Sequence, residues 1–242
     1  MTTWANYCLT YQSIHKRKRM NARFTACNLQ VKFFEGVHAL DPVCVPDQSE
    51  LAHAIEHKCW DPHAWSVLHG HLLIMHDFLT NSDKEFLCVM EDDVHIRKDF
   101  LQEQPVIQSQ FKKMKLDMCM LGYLTPYQLA QVHHTYDQLT PTYTYLQYPF
   151  NVYGTQMYLT HRTHAQHLWD TYGVNSEWRK TALSTGDVQP ADWIITKQGI
   201  RACIYPMMAV EELGGGHIYQ DLTQREFHDE CHRMQFNAEL YV

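Results

Sequence analysis

The sequence predicts an α/β fold: a mostly parallel central sheet flanked by helices. Three observations predict it. Short apolar runs alternate along the chain with segments of helical period. The composition is globular, with 45% hydrophobic and 19% charged residues. In 242 residues, 10 Gly and 9 Pro are too few for a collagen-like or linker-rich chain. That length suits a single domain, 1–242, able to bury a substantial core.

Ala5–Tyr11 is a short apolar run and is expected as the first strand. Lys16–Leu29 reads as a helix, because Met20, Phe24 and Cys27 step by four and three. Val31–Phe34 is a second strand. Residues 36–47 carry a Gly, two Pro and two Asp and read as a loop. Ala64–Leu79 is a strong helix, with Trp65, Leu68, Leu72, Met75 and Leu79 on one face. Asn81–Lys84 is a turn, and Phe86–Met90 is a fully apolar strand. Asp99–Met114 is a further helix, interrupted or started near Pro105, and Leu116–Leu121 is another buried strand.

Residues 125–149 are rich in Tyr, Thr and Gln without clear period, and read as a long loop with short strands at most. Tyr153–Thr160 is expected as a strand, Arg162–Tyr172 as a helix and Gly173–Gln189 as a second polar loop. Ala191–Gln198 is a short helix, and Ile200–Tyr205 a strand closed by Pro206. From Gly214 on the chain is polar and aromatic, with no clear helix. Alternating strands and helices imply the parallel sheet.

The formal net charge is −7, from 20 Lys+Arg against 27 Asp+Glu. A broad nucleic-acid or anionic-membrane face needs the opposite sign. Eight Cys occur without a CxxC pair, and Cys8, Cys88, Cys119 and Cys203 sit in apolar runs as buried thiols. No basic-then-apolar leader opens the chain, and no apolar window nears the roughly 18 residues of a membrane span. A soluble protein of a reducing, cytoplasmic compartment is expected. The 17 His supply groups that titrate near neutrality or bind metal.

The buried run Phe86–Met90 ends in Glu91-Asp92-Asp93. Three adjacent carboxylates repel one another unless a cation or donors balance them. Ligands of α/β sheets bind just beyond the carboxyl ends of strands. Mg²⁺ or Mn²⁺ needs one or two carboxylates there and takes its other ligands from phosphate and water. The alternative is a solvated acidic turn. The basic run Lys16–Arg19 allows an anionic nucleotide despite the net charge.

The Glu91-Asp92-Asp93 segment resembles the acidic motif of GT-A glycosyltransferases, and more specifically that of glycosyltransferase family 25, the lipopolysaccharide-type and collagen-type sugar transferases. Other stretches resemble the family in order. Leu9–Ser13 followed by His15–Met20 is similar to its opening strand and basic run. Val31–Asp41 is similar to its second strand and turn. Ser66–His71 falls at its "GCxxSH" stretch, of which His71 is kept. Tyr153–Leu159 is similar to its "GTxgYliS" strand, and Gln189–Trp193 to its late "PxD" segment. Leu9 and Tyr11 stand where the family has Asn and Asp.

The resemblance implies a single-domain, Rossmann-like GT-A fold. Its nucleotide-sugar part would lie at about 5–125 and its acceptor part at about 126–242. It also implies a metal-dependent, inverting transfer from a nucleotide-diphosphate sugar to a hydroxyl of a glycan or glycoconjugate. Asp93 would ligate Mn²⁺ or Mg²⁺, with Glu91 or Asp92 beside it or holding the ribose. Asp192 would be the base; without the resemblance, a carboxylate complementing a helix dipole explains it. Thr10, Tyr11 and His71 would line the donor site, and Gly154 and Thr155 would let backbone approach the sugar. Arg17 and Arg19 are two apart and share no helix face, so one of them is expected at phosphate. His217, after three glycines, would complete the metal shell.

Two other readings stay open. One is a non-catalytic nucleotide- or glycan-binding module of the same fold. The other is a zinc hydrolase using His228 and His232, which are four apart, although Asp229 stands where such a site has its Glu.

Overall fold

The structure, a computed structural model, describes residues 4–38, 40–41, 44, 52, 56, 61–125, 144–147, 152–185, 189–213 and 222–242. Seven strands form one sheet: β1 (Trp4–Thr10), β2 (Lys32–Glu35), β3 (Phe86–Glu91), β5 (Met118–Leu124), β6 (Thr144–Gln147), β7 (Tyr153–His161) and β8 (Arg201–Tyr205). Their order is β2-β1-β3-β7-β5-β8-β6. β1 runs parallel to β2 and β3, and β5 parallel to β8. β7 runs antiparallel to both β3 and β5, and β6 antiparallel to β8. The sheet is therefore mixed, with all strands but β6 and β7 pointing one way. β4 (Val94–Ile96) and β9 (Ala209–Glu211) make a separate antiparallel pair.

The helices are α1 (Ile14–Ala26), α2 (Pro62–Asn81), α3 (Phe100–Lys113), α4 (Arg162–Tyr172), α5 (Glu177–Thr185), α6 (Ala191–Ile195) and α7 (Leu222–Gln235). Their starts are written locally. Ser13 Oγ accepts from the Lys16 N–H at the head of α1, and Asp61 accepts from His63 and Ala64 at the head of α2, where Pro62 opens the helix.

Alternate strand residues point to opposite faces, so each face has its own core. Tyr7, Leu9, Leu87, Val89, Met118, Met120 and Tyr158 pack with Trp65, Leu68, Leu72 and Phe78 of α2 and Ala165 and Leu168 of α4. Trp4, Cys8, Phe86, Cys88, Met90, Cys119 and Leu159 pack with Met20 and Phe24 of α1 and Phe100, Ile107 and Phe111 of α3. At Gly70 a Cβ would lie 2.9 Å from Leu9 Cδ1, so the glycine lets α2 sit tightly on β1. The seven described free cysteines are all buried.

The structure corrects two segments. The polar stretch after Gly173 contains α5, whose inner face uses Arg179 as well as Trp178 and Ala182. Arg179 is 3% exposed and donates to the carbonyls of Cys44 and Val174, so a buried guanidinium hid the helix from an apolar-period reading. The C-terminal stretch contains α7, whose buried residues include Cys231 and His232. No helix among the described residues is long and apolar enough to cross a membrane.

Candidate functional site

The antiparallel insertion of β7 places its first residues beside the carboxyl end of β3, where Met90 pairs with Met157. Gly154, Thr155 and Gln156 then meet three carboxylates from three elements. The Gly154 N–H donates to Asp192 Oδ2 at 3.3 Å. Thr155 Oγ1 donates to Glu91 Oε1 at 2.5 Å. Gln156 Nε2 donates to Glu211 Oε2 at 3.4 Å. One short strand segment thus joins α6, β3 and β9. Gly154 has φ +89, a left-handed conformation that a side chain would strain and that glycine adopts freely.

The three sequence-predicted carboxylates divide. Glu91 is held by Thr155 and by His71, whose Nε2 lies 3.4 Å from Glu91 Oε1. Burial pushes the Glu91 carboxyl up, but His71, Thr155 and the Lys16 charge outweigh it and hold its pKa below the usual range. Asp92 and Asp93 share one ammonium: Lys16 Nζ lies 2.9 Å from Asp92 Oδ1 and 3.2 Å from Asp93 Oδ2. Asp93 Oδ1 is buried with no hydrogen-bond partner among the described residues. Burial, with the Glu91, Glu211 and Asp92 charges, raises the Asp93 pKa to about 7 against the opposing pull of Lys16.

The next acidic pair, Glu211-Glu212, closes the edge. The Glu212 N–H donates to the Asp93 carbonyl at 2.7 Å. Its carboxylate takes Arg19 at 2.6 Å and also Arg23. Glu211 is 7% exposed and contacts His228 Nδ1 at 2.8 Å, while its carbonyl contacts His232 Nδ1 at 2.7 Å. Burial lowers the His228 pKa, but the bond to Glu211 and the charges of Glu211, Glu91 and Asp93 raise it overall.

Other predicted site residues fall as follows. Thr10 is buried at the β1 end, its hydroxyl without a partner among the described residues, and Tyr11 beside it is 41% exposed. Arg17 pairs with Glu35 at 3.5 Å, and Arg19 with Glu212, so carboxylates take both. The basic residue at the cluster is Lys16, which the choice of Arg17 and Arg19 missed. Its signal was its spacing four before the buried Met20, which turns both toward the sheet. His71 is corrected: it is fully buried between Glu91 and Tyr158 Oη (3.2 Å from Nδ1) and positions Glu91 instead of lining an open site. Gln156, Glu211 and Glu212 were missed too, and His228 was considered only as a zinc ligand with His232, because only the fold brings β9 and α7 to this edge. His217 lies outside the described residues.

Around Asp192, Trp193 is 40% exposed and Tyr153 37% exposed. Lys197 Nζ lies 3.7 Å from the Trp193 ring centroid and 4.8 Å from that of Tyr153. Among the described residues no three His, Cys, Asp or Glu are grouped to hold a metal. His228 and His232 do share a face of α7, but both turn to Glu211. Asp92 and Asp93 converge on a single cationic group, and their hard oxygens, with the unpartnered Asp93 Oδ1, are the donor type a hard divalent cation takes.

No protein-family model matches the chain, and no curated protein does. Solved structures give weak likenesses. A197 from STIV shares 11% identity at a TM-score of 0.41, covering 86% of this chain and 83% of its own. A Bacillus anthracis protein described as a glucose-1-phosphate thymidylyltransferase, in complex with a sucrose, shares 9% identity at 0.41, covering 98% of both chains. A glycosyltransferase involved in glycosylation of the major capsid of PBCV-1 shares 12% at 0.32, covering 93% of this chain and 98% of its own. Scores this low leave the function to the site itself.

Proposed function

We propose that the chain is a GT-A-type glycosyltransferase, similar to family 25, that moves a sugar from a nucleotide-diphosphate donor to a hydroxyl of a glycan or glycoconjugate. One observation carries this reading. The strand-end carboxylates and Asp192 meet at one sheet edge through consecutive residues of β7. Ligands of α/β sheets bind at such edges.

In this reading the diphosphate lies beside the β1 and β3 ends, with Thr10 and Tyr11 toward the nucleoside. Asp92 and Asp93 would hold Mn²⁺ or Mg²⁺, which would offset negative charge as the diphosphate departs. Glu91, held by Thr155 and His71, keeps its charge and faces the ribose. The acceptor approaches past Tyr153 and Trp193. As its oxygen bonds to the anomeric carbon, the bond to the diphosphate breaks and the electron pair leaves with the diphosphate. Asp192 takes the hydroxyl proton; the Gly154 N–H fixes one of its oxygens and leaves the other for the acceptor. Configuration inverts because no covalent enzyme intermediate forms.

A thermal-shift screen of nucleotide sugars with and without Mn²⁺ tests the donor assignment. Selective stabilisation by one donor that depends on Mn²⁺ is expected. A protein that no nucleotide sugar stabilises rejects the reading.

A further inference from the structure

Resting on that reading, we propose that Lys16 is a built-in occupant of the cation seat. Its ammonium fills the place between Asp92 and Asp93 in the free protein, and a divalent cation enters only as that ammonium swings out.

The seat is filled but undercharged. One positive charge faces two carboxylates whose side chains are only 11% and 10% exposed. The second Asp93 oxygen, Oδ1, is buried without a partner among the described residues, in a residue 7% exposed. A settled ion pair looks different, and the neighbouring one shows how. Each oxygen of Glu212 takes its own guanidinium, Oε2 from Arg19 and Oε1 from Arg23. Asp93 thus retains an unused buried oxygen on the same carboxylate whose Oδ2 already takes a cation. A group with higher charge and more coordination positions than an ammonium answers that demand.

The residue type suits an exchangeable occupant. A lysine ammonium is a compact point charge on a flexible stem, whereas a guanidinium locks into a planar fork. Lys16 stands in the first turn of α1, and its backbone is fixed by the Ser13 cap at 3.3 Å. Its side chain remains 25% exposed, so it swings out without unwinding the helix. The groups facing the seat are Glu91, Asp92 and Asp93 from the β3–β4 segment, Glu211 from β9 and Lys16 from α1, with His228 of α7 behind Glu211. That set carries more negative than positive charge, which keeps the ammonium in place until a stronger cation arrives.

Mn²⁺ binding without nucleotide, followed at pH 8 by the EPR signal of free Mn²⁺, tests the proposal. Lys16→Met is expected to bind Mn²⁺ about tenfold tighter than wild type, within the usual range by which one bound group changes the affinity for another. Lys16→Gln, which keeps a hydrogen-bond donor for the carboxylates, is run beside it in case the methionine variant does not fold, with the same expectation. The gain should vanish when Asp93→Asn is added. Equal affinity in wild type and in the folded Lys16 variants overturns the proposal, as does a gain that survives Asp93→Asn. UDP and GDP, each with Mn²⁺, are tested on wild type by thermal shift in parallel. Stabilisation there without a gain in the Lys16 variants removes the proposal and leaves the transferase reading standing. No Mn²⁺ binding by any variant and no nucleotide effect removes both.

Discussion

Two acidic strand ends lie side by side in this molecule and are treated in opposite ways. After β9, Glu212 is fully paired with Arg19 and Arg23. After β3, Asp92 and Asp93 share one lysine, and one buried oxygen is left over. Val94 pairs with Glu211 across the β4–β9 ladder, so the two ends belong to one local assembly. The difference separates a carboxylate that holds elements together from a pair whose charge is only partly balanced, which is the pair proposed above as the cation seat.

Substitutions can break or sharpen that contrast. The largest effect is expected in catalysis. Asp192→Asn should keep donor binding and cut sugar transfer by about 10²–10⁴-fold, the usual worth of a general base; unchanged transfer rejects Asp192 as the base. Asp93→Asn should lower Mn²⁺-dependent nucleotide-sugar hydrolysis by about 10²-fold or more. Its denaturation midpoint at pH 8 should match or exceed that of wild type, because a buried charge facing Glu91, Glu211 and Asp92 is removed. Undiminished hydrolysis removes the metal assignment.

Glu212→Gln should do the reverse. It leaves the Arg23 guanidinium poorly compensated, at a cost of about 3 kcal/mol in urea unfolding. A loss of stability by Asp93→Asn larger than that by Glu212→Gln would invert the contrast drawn above.

The smallest effect concerns pH. Burial first, with nearby positive charge, pulls the pKa of His69 and of His95 down from 6.5 to about 4. A histidine with a depressed folded pKa contributes stability that is present above 6.5 and lost as pH falls through about 4. In Asp93→Asn, where the raised Asp93 carboxyl no longer titrates in the opposite sense, the thermal midpoint should therefore drop between pH 6.5 and 4. A flat profile across that window contradicts the neutral, buried assignment.

Much of the framework was legible in the sequence. β1, β3, β5, β7 and β8 and helices α1 to α4 fall close to their expected places, because apolar alternation and period report burial directly. α5 and α7 did not, since their inner faces are built partly from Arg179 and His232, which carry no apolar signal. The many histidines follow the same logic. His69 and His71 are fully buried on α2, and His232 packs against Glu211, so these three serve the interior, whereas His15, His38, His63, His76 and His167 are exposed.

The sequence by itself determined that a buried strand ends in three carboxylates, that a basic helix follows the first strand and that a Pro-Ala-Asp turn comes late. Only the tertiary structure decided which of these meet. Strand direction is not written in an apolar run, and β7 inserts antiparallel between β3 and β5. That reversal brings its beginning, instead of its end, to the carboxyl edge of its neighbours. Gly154, Thr155 and Gln156 there bind Asp192, Glu91 and Glu211, which local sequence could not pair because each comes from a different element and their register is set by long-range strand pairing.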